Sequence, residues 1–261
     1  AVDMITFFGK AYVFRLEVHL IAISGQRKPY ETNTDLLCIL TTLAKMKIRA
    51  ILFDLDGTLI DQFLAIHKAF SKTLVKMGFP PPSFDEVKRA VGGASDTTMA
   101  KLIGSERAEE AVSILRPIFE KEMFEGLVLL PYVKEGLKLL TQSGIQSAVL
   151  TNKYGPHARA VCDYLGISTF LRLTIGANDT KWKKPNPKLT RLALDRIGYG
   201  SQETIYVGDS PYDFNTAQNA DLPCHLVATG THSLDELSIL KPQSVHSNFE
   251  SLVRYLLNKS E

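Results

Sequence analysis

Four short stretches of this chain carry the residue types that chemistry needs. They are Asp54-Leu55-Asp56-Gly57-Thr58-Leu59, Thr151-Asn152-Lys153, Lys184-Pro185-Asn186-Pro187 and Gly208-Asp209-Ser210-Pro211-Tyr212-Asp213. Asp54 and Asp56 lie two apart, and an extended backbone sets such a pair on one side. Two carboxylates in different surroundings divide labour: one, ionised, attacks phosphorus, and the other protonates the leaving oxygen and later activates water. Asp209 adds a third carboxylate. Clustered oxygens of this kind suit Mg²⁺, which prefers octahedral oxygen ligands and retains several waters. Such an ion would offset the repulsion between carboxylates and an incoming phosphate. Lys184 supplies a fixed positive charge, Thr151 a hydroxyl and a backbone N–H for phosphoryl oxygens, and Gly57 a close backbone approach after a strand.

These stretches need a scaffold that gathers them. Ile48 to Phe53 is nearly all apolar, as expected of a strand buried on both faces of a parallel sheet. Phe63, Ile66, Phe70, Leu74 and Met77 then follow at helical spacing, closed by Gly78. Pro80-Pro81-Pro82 breaks the chain, Ser83-x-x-Glu86 reads as a capping box, Gly92-Gly93 interrupts, and Val112, Leu115, Phe119 and Met123 mark another helix. Residues 62–128 therefore read as helical, with no convincing strand. Past Pro131 the pattern alternates. Strands are expected at 145–150, 171–175, 204–207 and 225–228. Helices are expected around Val133–Leu140, His157–Leu165 and Leu189–Ile197, after Pro211, after the Ser233-x-x-Glu236 box, and over Phe249–Leu256. Such alternation implies a parallel sheet with helices on both faces, and in such a sheet the crevice lies at the carboxyl ends of the strands.

Composition sets the outer limits. The chain has 261 residues, 45% hydrophobic and 22% charged, with a net charge of +2. That suits a globular core with a smaller second domain, and it excludes a strong electrostatic pull toward nucleic acid or membrane. Cys38, Cys162 and Cys224 make an odd count without a C-x-x-C pair, which points to reduced thiols in a cytoplasmic protein. No apolar run is long enough to span a bilayer. Residues 1–45 differ from the rest: Phe14, Leu16, Val18 and Leu20 alternate with polar residues, and Leu36–Ala44 reads as a short helix. The chain starts at Ala1, as a fragment, a processed form or a mis-started translation would. Met46 opens the regular pattern, so 1–45 is expected to be an appendage or a gene-model artefact, with a genuine extra strand and helix as the alternative.

In order and spacing, Asp54-Leu55-Asp56-Gly57-Thr58-Leu59, Thr151, Lys184-Pro185 and Gly208-Asp209-Ser210-x-x-Asp213 resemble the four motifs of the haloacid dehalogenase superfamily. The resemblance runs from Met46 to the C-terminus. It implies an α/β fold: a Rossmann-like parallel-sheet core (46–61 and 129–261) with a small helical cap (62–128) inserted after the first strand. It also implies an aspartyl-phosphate on Asp54, general acid/base catalysis by Asp56, and a phosphoryl group held by Thr151 and Lys184. Mg²⁺ would be bound by Asp54, the main-chain carbonyl of Asp56 and Asp209, with Asp213 at the metal site directly or through water. Thr151-Asn152-Lys153 and Lys184-Pro185-Asn186-Pro187 most resemble phosphoglycolate phosphatases, although Ala220-Asp221 stands where those enzymes usually have Ala-Gly, and they lack residues 1–45. Asn152 and the Gly92-Gly93 loop, through Gly93, are further candidates for substrate contact.

Each assignment has a plainer reading beside it. Asp213 could be a first-turn helix carboxylate, Thr151 a helix-entry residue, and Lys183 could take the place of Lys184. Arg89 reads as part of a solvated helix face, and the histidines and Trp182 as structural or surface residues. Hydrolysis of a small phosphorylated metabolite, by a monomer or homodimer, is the expected activity. A phosphosugar mutase, a pyrophosphatase or nucleotidase, and a non-catalytic binding protein are the alternatives. Because every motif follows Met46, a chain starting there should remain soluble and still release phosphate from a phosphomonoester. Aggregation of the shortened chain, measured by light scattering beside the full-length protein, would give residues 1–45 a structural role.

Overall fold

The computed structural model describes residues 48–258. The strand and helix expected within 1–45 lie outside the described residues. β1 (Ala50–Phe53) has no exposed residue and is the strand that the others flank. After it come β2 (Ile60–Asp61), α1 (Phe63–Lys76), α2 (Phe84–Ala90), α3 (Ser95–Ile103), α4 (Ala108–Glu122) and β3 (Val128–Leu129). The alternating half comprises α5 (Val133–Gln142), β4 (Gln146–Tyr154), α6 (Gly155–Tyr164), β5 (Leu171–Ala177), α7 (Pro187–Ile197) and β6 (Thr204–Gly208). It ends with α8 (Pro211–Asn219), β7 (Cys224–Val227), α9 (Leu234–Ile239), β8 (Ser244–His246) and α10 (Phe249–Asn258).

The main sheet has the order β5-β4-β1-β6-β7-β8, and every pairing in it is parallel. Ala50 stands opposite both Gln146 and Thr204, and Phe53 opposite both Val149 and Val207. Successive side chains of a strand face opposite ways, so the apolar run of β1 feeds two cores at once. Ile51 and Phe53 join Leu137, Leu140, Val161, Phe249 and Leu252 on one face. Ala50 and Leu52 join Leu189, Ala193, Tyr206, Ala217 and Leu237 on the other. The first core continues through Leu55, Leu59 and Phe63 into the helical insertion, where Phe70, Met99, Leu115 and Phe119 are buried. At the base of that insertion, β2 and β3 form a two-stranded antiparallel ribbon that pairs Ile60 with Leu129.

The α/β class and the parallel sheet follow the sequence pattern, and both expected capping boxes form, Ser83 with Glu86 and Ser233 with Glu236. Three details differ from expectation. The sheet has a sixth strand, β8, whose three half-buried residues are too few to show a period. β4 runs past Leu150 to Tyr154, so Thr151, Asn152 and Lys153 lie within a strand rather than after one. Val128 belongs to a strand, though one of only two residues. The Ala220-Asp221 departure falls on a turn in which Asp221 has φ 56, a left-handed conformation that an aspartate tolerates better than most residues. None of the described helices is long and apolar enough to cross a membrane. Cys162 and Cys224 are buried free thiols, and burial pushes Cys162 up to about 12.

Phe249 is fully buried, with its ring centroid 5.7 Å from that of Phe53 and its edge where a side chain on Gly136 would stand. Phe249→Ala should therefore cost about 3–5 kcal/mol in urea unfolding, as large-to-small core changes do. A loss below about 1 kcal/mol would mean that α10 is not pinned to the sheet as described.

Candidate active site

The carboxyl ends of β1, β4 and β6 lie side by side, so the residues that close or follow these strands meet. Asp54 follows β1, its backbone N–H donating to the Val207 carbonyl at 2.8 Å. Lys184 reaches in from the segment before α7, following a main chain that Asn152 holds: Asn152 Oδ1 accepts from the Lys184 N–H at 2.9 Å, and Asn152 Nδ2 donates to the Lys184 carbonyl at 3.2 Å. The Lys184 ammonium donates to Asp54 Oδ1 at 2.7 Å, to Asp213 Oδ1 at 2.7 Å and to the Tyr206 hydroxyl at 3.0 Å. The Tyr206 hydroxyl in turn donates to the Leu150 carbonyl at 2.9 Å. All these groups are buried.

Asp213 sits in the first turn of α8, where its Oδ2 accepts from the Asp209 N–H, the Ser210 N–H and the Ser210 hydroxyl at 3.2, 3.1 and 2.6 Å. The helix-capping alternative is thus realised together with the ion pair to Lys184. Gly208 leaves the room for it, since a Cβ there would lie 2.2 Å from Asp213 Cβ. Asp209 is turned the other way: its Oδ2 accepts from the Thr231 N–H at 2.7 Å and the Thr231 hydroxyl at 3.0 Å. Gly230 packs against that carboxylate so closely that a Cβ would stand 1.9 Å from Oδ2.

Asp54, Asp209 and Asp213 each bring a carboxylate oxygen within 4.8 Å of the others. Three carboxylates and one ammonium leave this buried cluster short of positive charge. Burial raises Asp54 to about 6, and Asp213 adds to the rise while Lys184 works against it. Burial, then Asp213 and Asp54, hold Asp209 well above the usual carboxylate range. Burial opposes the charge on Lys184, but Asp213 and Asp54 outweigh it and keep the ammonium protonated. Among the described residues no donor reaches Asp54 Oδ2 or Asp209 Oδ1. Two unengaged oxygens of this kind, beside a charge deficit, fit a hard divalent cation. Asp213 offers less to a metal, because both of its oxygens already accept hydrogen bonds.

Asp56 stands apart from the three. Lys153 Nζ donates to both of its carboxylate oxygens at 3.0 Å, and the same ammonium lies 5.0 Å from the Phe119 ring centroid of α4. Asp54, Asp56, Thr151, Asn152, Lys153, Asp209 and Thr231 share one cavity of about 90 Å³ with Gly92, Gly93 and the inner faces of α1 and α4. Asn152 lines it, yet its side-chain amide is committed to Lys184 and to the Gly92 carbonyl, the latter at 3.1 Å. The structure thus gives Asn152 a tie between β4, Lys184 and the insertion rather than a free face for a ligand.

Several partners were not visible in the sequence. Arg89 does lie on a solvated face, but it has partners there: it donates to the Thr231 carbonyl at 3.0 Å and pairs with Glu236 at 2.9 Å, because α2 packs beside the loop that orients Asp209. His157, expected to be structural or superficial, lines the cavity. The Lys153–Asp56 pair joins residues 97 apart, so nothing local announces it. Tyr206 could have been singled out, since a tyrosine in a fully buried strand needs a partner for its hydroxyl.

The model of the haloacid dehalogenase-like hydrolase family matches residues 51–227, and the chain belongs to that family. It is therefore a hydrolase, and its curated relatives are phosphatases. The phosphoglycolate phosphatase of Yersinia pestis is 30% identical over 213 residues, which cover 79% of this chain and 92% of the relative. That of Photorhabdus laumondii is also 30% identical over 213 residues, covering 79% and 91%. A haloacid dehalogenase-like family hydrolase of Streptococcus pneumoniae shares the fold, with a TM-score of 0.73 at 24% identity over 80% of this chain and 98% of that one.

Lys184→Met tests the charge balance. An acid whose folded pKa stands above its unfolded value destabilises the fold increasingly as pH rises through that interval, here from about 4 to about 6 for Asp54. Without the ammonium this penalty grows, so the variant should lose about 3–5 kcal/mol against wild type at pH 8 and distinctly less at pH 5. An equal loss at both pH values, by chemical denaturation, would place the effect in packing rather than charge.

Proposed function

We propose that this chain hydrolyses small phosphomonoesters of the phosphoglycolate type through an aspartyl-phosphate on Asp54. The observation that carries the reading is the state of Asp54. One oxygen is fixed by Lys184 at 2.7 Å, the other has no donor among the described residues, and Asp54 lines the cavity that Asp56 also lines. That is the arrangement of an oriented nucleophile beside a second carboxylate.

In the first half-reaction the Asp54 carboxylate forms a bond to phosphorus while the bond from phosphorus to the ester oxygen breaks. Asp56, entering the step in its protonated form, gives that oxygen its proton, and the alcohol leaves. In the second, Asp56 takes a proton from water, the water oxygen bonds to phosphorus, and the bond to Asp54 breaks, returning the free carboxylate and inorganic phosphate. Lys184 keeps Asp54 aimed and supplies positive charge, and the buried Thr151 lines the cavity where it can meet phosphoryl oxygens. Lys153 holds Asp56 by both oxygens. Mg²⁺, held by Asp54, Asp209 and the Asp56 carbonyl with Asp213 behind them, would neutralise the charge of the phosphoryl group and the cluster. Residues 62–128 act as a cap whose closure excludes water, which strengthens every charge interaction in the cavity. A cavity of about 90 Å³ favours a small ester over a phosphoprotein or nucleic acid.

Asp54→Asn should reduce phosphate release by roughly a thousandfold or more, because a carboxamide is a poor nucleophile, while the protein stays folded. Near-normal turnover in that variant would end the mechanism. EDTA should abolish activity and Mg²⁺ restore it. Added Mg²⁺ should raise the melting temperature of wild type, and Asp209→Asn should weaken that rise. Full activity in chelator would exclude the assigned metal site.

A further inference from the structure

The cap's share of the cavity wall is chemically one-sided. Ile66, Phe70, Val112, Leu115 and Phe119 present carbon. The hydroxyls are Ser95 and Thr98, and Thr98 already donates to the Ala90 carbonyl at 3.4 Å. One charged side chain from the cap reaches this lining, Arg116, and no acidic residue from the cap joins it.

Arg116 is held in place without being neutralised. Its guanidinium lies over the Tyr154 ring at the end of β4, 4.2 Å from the centroid. The acid one turn along α4, Glu120, is taken by His157 at 3.2 Å. Burial lowers the pKa of His157 against the pull of Glu120, so that ring stays neutral near pH 7. The other cation nearby, Lys153, is committed to Asp56. Among the described residues Arg116 forms no ion pair, and its fork of N–H donors remains available at the cavity mouth.

We infer that Arg116 is the specificity-determining residue of the cap, and that it selects a phosphomonoester whose leaving group carries a carboxylate. The inference rests on the phosphatase reading above. A polyhydroxylated leaving group would need a partner for each hydroxyl, and this wall leaves most of them unpaired, which a site of this kind rejects. A short carbon chain ending in a carboxylate suits it: carbon against the apolar wall, and two oxygens on a planar guanidinium that can receive both.

The experiment compares phosphoglycolate with ethyl phosphate, an ester of similar size without the carboxylate, on the full chain with Mg²⁺. Wild type should favour phosphoglycolate in kcat/KM. Arg116→Gln should lower the ratio of the two kcat/KM values by about tenfold or more, chiefly through the KM for phosphoglycolate, and Arg116→Lys should restore part of it. An equal fall on both esters would make Arg116 a structural tie to Tyr154 and overturn the inference, as would an unchanged ratio. If wild type hydrolyses ethyl phosphate and phosphoglycolate equally, the cap does not read a carboxylate. If it hydrolyses neither, the reading as a phosphatase of phosphoglycolate-type esters fails, and the role of Arg116 with it.

Discussion

Everything at the head of this sheet depends on one buried ammonium. Lys184 binds Asp54 and Asp213, each at 2.7 Å, in a place from which water is nearly excluded. Without it, carboxylates arriving from β1 and from α8 would face one another across a medium that screens poorly, and losing one partner of such a pair typically costs several kcal/mol. The surroundings spend much of their hydrogen bonding on placing it. Asn152 grips its main chain on both sides, Tyr206 accepts from its head, and the Lys184-Pro185 bond is cis. The nucleophile of the proposed reaction is thus aimed by a residue 130 positions away in the sequence.

The same residues tie the cap to the chemistry. Asn152 donates to the Gly92 carbonyl, Arg89 to the carbonyl of Thr231, and Lys183 pairs with Asp96. Two of these contacts end on residues that also orient the charged cluster: Asn152 holds Lys184, and Thr231 holds Asp209. On the far side of the cavity, Lys153 of the core sits over Phe119 of the cap, and Arg116 of the cap over Tyr154 of the core. The position of the insertion and the geometry of the cluster are therefore fixed by shared residues rather than by separate supports.

How much of this could be read from the sequence follows from which interactions are local. β1 is an unbroken apolar run because both of its faces are covered, so the strand and the Asp54-x-Asp56 pair that ends it are legible. The boxes at Ser83 and Ser233 span four residues and form as read. β8 is invisible because three half-buried residues carry no period, and the extent of β4 is masked because its last residues are polar for the sake of the site. Of the candidate site residues, Asp54, Asp56, Gly93, Thr151, Asn152 and Asp209 line one cavity, whereas Lys184 and Asp213 are buried as an ion pair outside its lining. Their partners were out of reach: Lys153 with Asp56 and Arg89 with Thr231 are set by the way the insertion folds back, and no spacing encodes that. Asn152 shows the limit most clearly, since its type fits a ligand contact equally well, and only its three hydrogen bonds reveal a brace.

The ribbon of β2 and β3 has a consequence for how such a chain can vary. Pairing Ile60 with Leu129 brings the two ends of the insertion together before β4 must find β1. The entropy of closing a loop grows only logarithmically with its length, by about 0.6 kcal/mol for each doubling. Once the ribbon has closed the loop, the register of Ala50 against Gln146 is insensitive to what lies within it. Segments of different length and shape can thus be exchanged at this junction with little effect on the folding of the sheet, which leaves the apparatus at the strand ends constant while the walls above it diversify.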